Sequence, residues 1–220
     1  MTKTEENSKT AFAGESQARN KYDYFAKVAR KEGYHYIARI FEETAINEQQ
    51  HAKDEFKLLK GINDTKTNLK TAIDGEHYEV NDMYPRFAKE AQEEGNVEAA
   101  KLFKAIALVE KEHENRFKKL LEMVESGMVF KRDKPIRWKC NKCGYVHTGL
   151  EAPPECPSCK HPQVNYEPEC ICFGDDCEVC CGLGVKEDVS EEEEPIEKGS
   201  TEKVEENVTE EVSPEENNLN

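Results

Sequence analysis

Residues 47–51 read NEQQH and residues 109–113 read VEKEH. Each stretch places a glutamate three residues ahead of a histidine, Glu48 before His51 and Glu110 before His113, so on an α-helix each pair shares one face. A single pair of this kind is common in a glutamate-rich chain, whereas two in register are not. A constant shift of 62 positions carries Glu48 onto Glu110, and it also carries Tyr22 onto Tyr84, Phe25 onto Phe87, Gly33 onto Gly95, Ala38 onto Ala100, Phe41 onto Phe103 and Ala45 onto Ala107. The chain therefore contains a duplicated helical hairpin. Residues 9–60 have no proline and place apolar residues at helical spacing, for example Ile37, Ile40, Phe41 and Ala45, so they predict two helices broken near Gly33. Residues 83–126 repeat the pattern. Two hairpins joined by an exposed connection at about 60–70 predict an all-α four-helix bundle.

The rest of the chain bounds what surrounds this bundle. Of 220 residues, 36% are hydrophobic and 35% charged, a balance too polar for a chain that packs throughout. The polar excess sits at the end: residues 186–220 hold fourteen acidic residues against three lysines and no aromatic residue, which predicts a disordered acidic tail. That tail carries about −11 of the formal −15, so the remainder is nearly neutral, and no basic surface interleaved with aromatics argues for nucleic acid. The start, MTKTEENSKT, lacks the apolar core of a secretory signal, and no run of eighteen apolar residues is present to span a membrane. A cytoplasmic location is expected. All nine cysteines lie between positions 140 and 181, where a reducing compartment favours metal ligation over disulfides.

The duplicated Glu-x-x-His helices each offer one carboxylate and one imidazole. A dinuclear carboxylate site in a bundle adds one glutamate from each of the other two helices, and the candidates are Glu15, 33 residues before Glu48, and Glu76, 34 before Glu110. The extra residue in the second interval breaks the 62-residue register between Glu76 and Tyr84. A helix can absorb such an insertion as a π-bulge, a feature found often at functional sites. It also places Glu79 three residues after Glu76, on the same face, as a possible fifth carboxylate. This mixed ligation suits iron or manganese. Taken singly, each of these glutamates reads as a solvated surface charge; the joint pattern favours the metal site. Tyr22 and Tyr84 lie one or two turns from the ligand positions, and two readings stay open for them, a hydroxyl that serves the site or a core aromatic. His35, His77, His147 and His161 have no such partners and are expected to be exposed or simply packed.

After Met128 the character changes to short β-prone pieces around Pro135 and Trp138. The turns WKCNKCGY (138–145) and ECPSC (155–159) give the spacing C-x2-C-x12-C-x2-C through Cys140, Cys143, Cys156 and Cys159. Two such turns close a tetrahedral four-thiolate site, which zinc and iron both accept. Trp138 is expected to pack as a core aromatic. Five further cysteines follow in CICFGDDCEVCC (170–181): Cys170, Cys172, Cys177, Cys180 and Cys181. Their close spacing suits a third thiolate metal site, with reactive or exposed thiols as the alternative.

FAGESQARNKY (12–22), NEQQH, GEHYE (75–79), MYPRFAKEAQEEG (83–95) and VEKEH, followed by the two Cys-x-x-Cys turns, resemble the rubrerythrin family over about residues 9–167. The resemblance implies a ferritin-like di-iron domain (1–130) joined to a rubredoxin-like Fe(Cys)4 domain (131–167), with two iron ions in the first and one in the second. Residues 168–185, the extra cysteine-rich segment, and the acidic tail 186–220 lie outside it. It further implies a peroxidase that reduces hydrogen peroxide to water in oxidative-stress defence. By position, Glu48 and Glu110 would bridge the irons, Glu15 and Glu76 would be terminal ligands, His113 would hold the second iron, and Glu79 and His51 would exchange with redox state. Tyr22 and Tyr84 match tyrosines near that site. Electrons would enter from a partner reductase linked to NAD(P)H, or from a rubredoxin, through Cys140, Cys143, Cys156 and Cys159. Family members are commonly dimers in which the rubredoxin-like domain of one subunit lies near the di-iron site of the other, so a homodimer or higher homo-oligomer is expected. Two other functions remain in play: a ferroxidase that handles iron, which has no use for the four-cysteine domain, and a non-redox metal-binding protein carrying a zinc ribbon.

Overall fold

The computed structural model describes residues 2–169. The five C-terminal cysteines and the acidic tail lie outside the described residues. Five helices, α1 (Lys3–Lys31), α2 (His35–Leu58), α3 (Thr65–Tyr78), α4 (Tyr84–Glu93) and α5 (Val97–Ser126), precede three strands, β1 (Lys131–Cys140), β2 (Val146–Glu151) and β3 (Tyr166–Pro168). A helical N-terminal domain followed by a small strand-containing region is the architecture expected. Among the described residues, no helix is long and apolar enough to cross a membrane.

The helix boundaries follow from local chemistry. The first helix starts earlier than the apolar pattern suggests, because Thr2 and Glu5 form a reciprocal capping box: the Glu5 N–H donates to Thr2 Oγ1 at 3.2 Å and the Thr2 N–H to Glu5 Oε2 at 2.7 Å. The connection between hairpins is also shorter than expected, since Asp64 accepts from the Thr67 N–H at 3.0 Å and so starts α3 at Thr65. Both hairpin turns need a left-handed residue, and the repeat supplies Gly33 (φ 86°) and Gly95 (φ 75°). The same bonds close both turns: Tyr34 N–H to Ala29 O and Asn96 N–H to Ala91 O, each 2.8 Å.

The duplication extends to packing. Within each hairpin the helices approach over alanines, Ala26, Ala29 and Ala38 in the first and their counterparts Ala88, Ala91 and Ala100 in the second, all buried. A three-ring cluster braces each pair. Phe25 and Phe41 stand 5.6 Å apart and Tyr22 and Phe41 6.0 Å; Phe87 and Phe103 stand 5.7 Å apart and Tyr84 and Phe103 6.2 Å. Among the described residues, α1 packs along α2, and α3 and α4 pack along α5. Between α3 and α4, residues Glu79–Met83 form a π-helical turn, in the interval where the repeat register slips by one. Pro85, at the second position of α4, sits where its missing N–H is least costly.

The three strands form an antiparallel sheet in the order β2-β1-β3. Its core is five buried residues, Trp138, Cys140, Ala152, Cys156 and Tyr166. Trp138 is fully buried, and its indole N–H donates to Gly149 O at 3.0 Å. With so small a core, Trp138→Ala is expected to destabilise this region by about 3–5 kcal/mol. The check is guanidinium unfolding followed by loss of the visible absorption of the cysteine-bound metal, and a midpoint equal to wild type would refute it.

Candidate metal centres

Each hairpin assembles the same three groups. In the first, Glu15 from α1 meets Glu48 and His51 from α2; in the second, Glu76 from α3 meets Glu110 and His113 from α5, and in each set one donor atom per residue lies within 4.8 Å of the others. The match is close: His51 Nδ1 is 2.8 Å from Glu48 Oε2 and 3.7 Å from Glu15 Oε2, and His113 Nδ1 is 2.6 Å from Glu110 Oε2 and 3.8 Å from Glu76 Oε2. The glutamates are partly shielded, whereas His51 is 59% exposed.

The electrostatics of both sets is that of crowded anions. Glu15 is raised, chiefly because it shares a hydrogen bond with Glu48, which is lowered in return; the Glu48 carboxylate raises His51. In the second set burial raises Glu76 first, with the Glu110 carboxylate adding to it. Glu79 is raised by burial and then by Glu110, although its carboxylate is not among the donors that lie within 4.8 Å of one another. A divalent cation discharges crowding of this kind, and three oxygen and nitrogen donors per hairpin with open positions fit iron. Tyr84 is raised by burial and then by Glu79, Glu110 and Glu76, which keeps its hydroxyl protonated beside the carboxylates. Tyr22 packs as part of its ring cluster.

Sequence reasoning missed the neighbour of this site. Glu114 is fully buried, and His77, expected to lack a partner, donates from Nδ1 to Glu114 Oε1 at 2.9 Å. Lys111 Nζ at 2.9 Å and Lys118 Nζ at 2.6 Å complete the cage, and these, Lys111 first, hold the Glu114 carboxylate down at about 2. The signal was present as lysines three before and four after one glutamate. His161 also has a contact, its Nδ1 3.1 Å from Cys159 O.

In the strand region two similar knuckles face each other. The Gly144 N–H donates to Cys140 O at 2.8 Å and the Lys160 N–H to Cys156 O at 2.9 Å, with Gly144 (φ 78°) and Lys160 (φ 61°) both left-handed. Cys140 and Cys159 sulfurs lie 3.7 Å apart, as do those of Cys143 and Cys156. This is far beyond a disulfide bond. It matches the edge of a tetrahedron with metal–sulfur arms of about 2.3 Å. The Tyr166 hydroxyl is buried with no hydrogen-bond partner, and the group it favours electrostatically is the Cys156 sulfur. Burial opposes ionisation of Cys156, but Tyr166 and the backbone N–H groups of Cys159 and Ser158 outweigh it and bring the thiol down to about 6. For Cys159 the His161 N–H favours the thiolate, yet burial and the three other sulfurs push the thiol up to about 12. A metal cation replaces the protons of thiols that it ligates, so four sulfurs held this close suit one.

Paired carboxylate-histidine sets on helices, next to a tetrahedral four-thiolate site, define a class of two-module iron proteins. Comparison with known proteins sharpens this. The rubrerythrin family model matches residues 6–121 and the model of the rubrerythrin rubredoxin-like domain matches residues 138–167. A putative rubrerythrin of Methanocaldococcus jannaschii is 47% identical, over 77% of this chain and 94% of its own length. A rubrerythrin of Clostridium perfringens is 49% identical, over 76% and 94% respectively. A solved nigerythrin structure is 36% identical over 76% of this chain and 87% of its own, with a TM-score of 0.30. The chain belongs to the rubrerythrin family. It is accordingly an oxidoreductase of the di-iron, peroxidase type, with a di-iron site in its helical domain and one iron on its four cysteines.

Proposed function

We propose that this chain reduces hydrogen peroxide to water in the cytoplasm, drawing electrons from an NAD(P)H-linked reductase or a rubredoxin-type donor. The observation that carries the reading is the twice-built set of two carboxylates and one imidazole, accompanied by four sulfurs at tetrahedral spacing. Iron held there would supply the two electrons that, with two protons, reduction of one peroxide to two waters requires.

The residues then take distinct tasks. Glu48 and Glu110, each hydrogen-bonded to its own histidine, would be shared between the two metals, while Glu15 and Glu76 would hold one each. His113 would hold the second metal in both redox states. Glu79 and His51 would be alternatives, the carboxylate serving the oxidised state and the imidazole the reduced one. Tyr84, kept protonated by burial first and then by its carboxylate neighbours, would donate a hydrogen bond toward peroxide, and Tyr22 holds the equivalent place in the first hairpin. Cys140, Cys143, Cys156 and Cys159 would hold the iron through which electrons enter.

Anaerobic purification with iron, reduction, and addition of stoichiometric peroxide test this reading. Both centres should reoxidise within the mixing time of a stopped-flow instrument, with one peroxide consumed per di-iron site. Slow reaction with peroxide but fast reaction with dioxygen, together with iron accumulation, would instead identify a ferroxidase. A colourless protein holding zinc on the four cysteines would remove the electron route.

A further inference from the structure

We infer that each dinuclear site is built across two copies of this chain, with Glu15, Glu48 and His51 from one protomer and Glu76, Glu79, Glu110 and His113 from its partner. The inference deepens the di-iron reading and rests on it.

Each hairpin carries only half of a site. The two sets form separate groups, and a dinuclear centre in a bundle needs ligands from all four helices at once. Among the described residues every helix finds its packing partner inside its own hairpin, so the faces that bear the ligands are left open. Those faces are apolar around the ligands. Ile37 and Ile40, on the stripe of α2 that holds Glu48 and His51, are 46% and 40% exposed; Leu102 and Val109, on the stripe of α5 that holds Glu110 and His113, are 56% and 51% exposed. Ile40 and Leu102 occupy the same position of the repeat. Apolar faces of this extent on both hairpins mark a surface that another element covers.

The connection between the hairpins decides which copy supplies the cover. In a ferritin-like bundle one long crossover joins the two hairpins, running from the end of the second helix to the far end of the bundle, where the third begins. Here α2 ends at Leu58, ten residues beyond Glu48, and α3 starts at Thr65, eleven residues before Glu76. With both glutamates at the level of the metals, the crossover would have to travel about 31 Å along the bundle, before any sideways step between helices. Residues 59–64 reach about 25 Å even when fully extended. They are not extended. The Gly61 N–H donates to Phe56 O at 2.9 Å, Asn63 Nδ2 to Lys60 O at 3.1 Å, and Asn68 Nδ2 to Asn63 O at 2.7 Å, so the link is a compact turn. The second hairpin of one chain therefore cannot fold back on its own first hairpin in the ferritin-like arrangement. It can do so on the first hairpin of another chain. Reciprocal exchange closes with two-fold symmetry and gives two complete sites per dimer, each with the full set of ligands.

Complementation tests this directly. Glu48→Ala and Glu110→Ala chains carrying different affinity tags are co-expressed, and mixed dimers are isolated through both tags. Exchange places both lesions in one site and leaves the other intact, so mixed dimers should hold half of the wild-type helical iron, with its visible absorption, while either variant alone holds none. Mixed dimers as empty as the single variants would overturn the inference. A second measurement does not depend on metal: a benzophenone photo-crosslinking residue replaces Ile40 in the otherwise unchanged chain. Adducts joining residue 40 to peptides from 65–126 should appear at twice the chain mass, and their appearance at the mass of one chain would refute the exchange. Adducts at twice the mass in a protein whose helices bind no iron would keep the exchange and remove the di-iron reading.

Discussion

Glu48→Ala protein is expected to retain the iron on its four cysteines, with an unchanged visible spectrum, and to lose both irons of the helical domain. The reason lies in what Glu48 touches. Its carboxylate bonds His51 Nδ1 at 2.8 Å and lies within 4.8 Å of the Glu15 carboxylate, so one substitution removes the oxygen pair proposed as a bridge and leaves the other two donors of that hairpin without their common partner. Two metals held close together need bridging anions to offset their mutual repulsion. Peroxide reduction should fall by at least about 100-fold, equivalent to about 2.7 kcal/mol. Iron analysis per chain together with the visible spectrum reads the result. Helical iron at wild-type stoichiometry would show that Glu48 is not a bridge, whereas loss of the cysteine-bound iron as well would show that the two modules do not stand independently.

Cys156→Ser is expected to have the opposite pattern. Cys156 is fully buried and forms part of a core of only five residues, so its loss removes a ligand and most of the reason for the strands to stay together. In small metal-held domains the binding energy of the metal is the folding energy, on the order of 10 kcal/mol. Trp138 is the chain's one tryptophan, so its fluorescence reports on this region alone and should shift to that of a solvated indole. The helical content should be unchanged by far-ultraviolet circular dichroism. Turnover driven by a reductase should stop, yet protein reduced chemically with dithionite should still consume one equivalent of peroxide per helical site. If reductase-driven turnover survived, electrons would be entering the helical domain without passing the four cysteines.

Much of this was legible in the sequence, for identifiable reasons. Metal ligation demands particular residues at particular spacings, and duplication wrote the demand twice, so Glu48 and His51 could be checked against Glu110 and His113. The same comparison located the π-helical turn, because one inserted residue inside a helix must show as a slip in register. Glu114 was not legible, since in a chain with 46 acidic residues one more glutamate looks like a solvated charge, and its burial depends on how α3 lies against α5. His77 was hidden for the same reason, its partner being 37 positions away. Nor did the apolar pattern say which chain would cover which face. That depended on where Asp64 starts α3, and a cap shifted by a few residues changes the length of a crossover more than it changes any pattern of periodicity.

The π-helical turn at Glu79–Met83 has a further consequence for the protein as an assembly. A duplicated hairpin invites two equal halves, and a pair of equal halves would offer oxidant and reductant no preferred end. One residue too many in one copy removes that equality permanently, because every complete site takes one plain hairpin and one bulged hairpin, whichever chains donate them. No rotation that relates the protomers can restore it. The insertion thus acts as a built-in polarity mark, written into the backbone, where replacement of side chains cannot erase it.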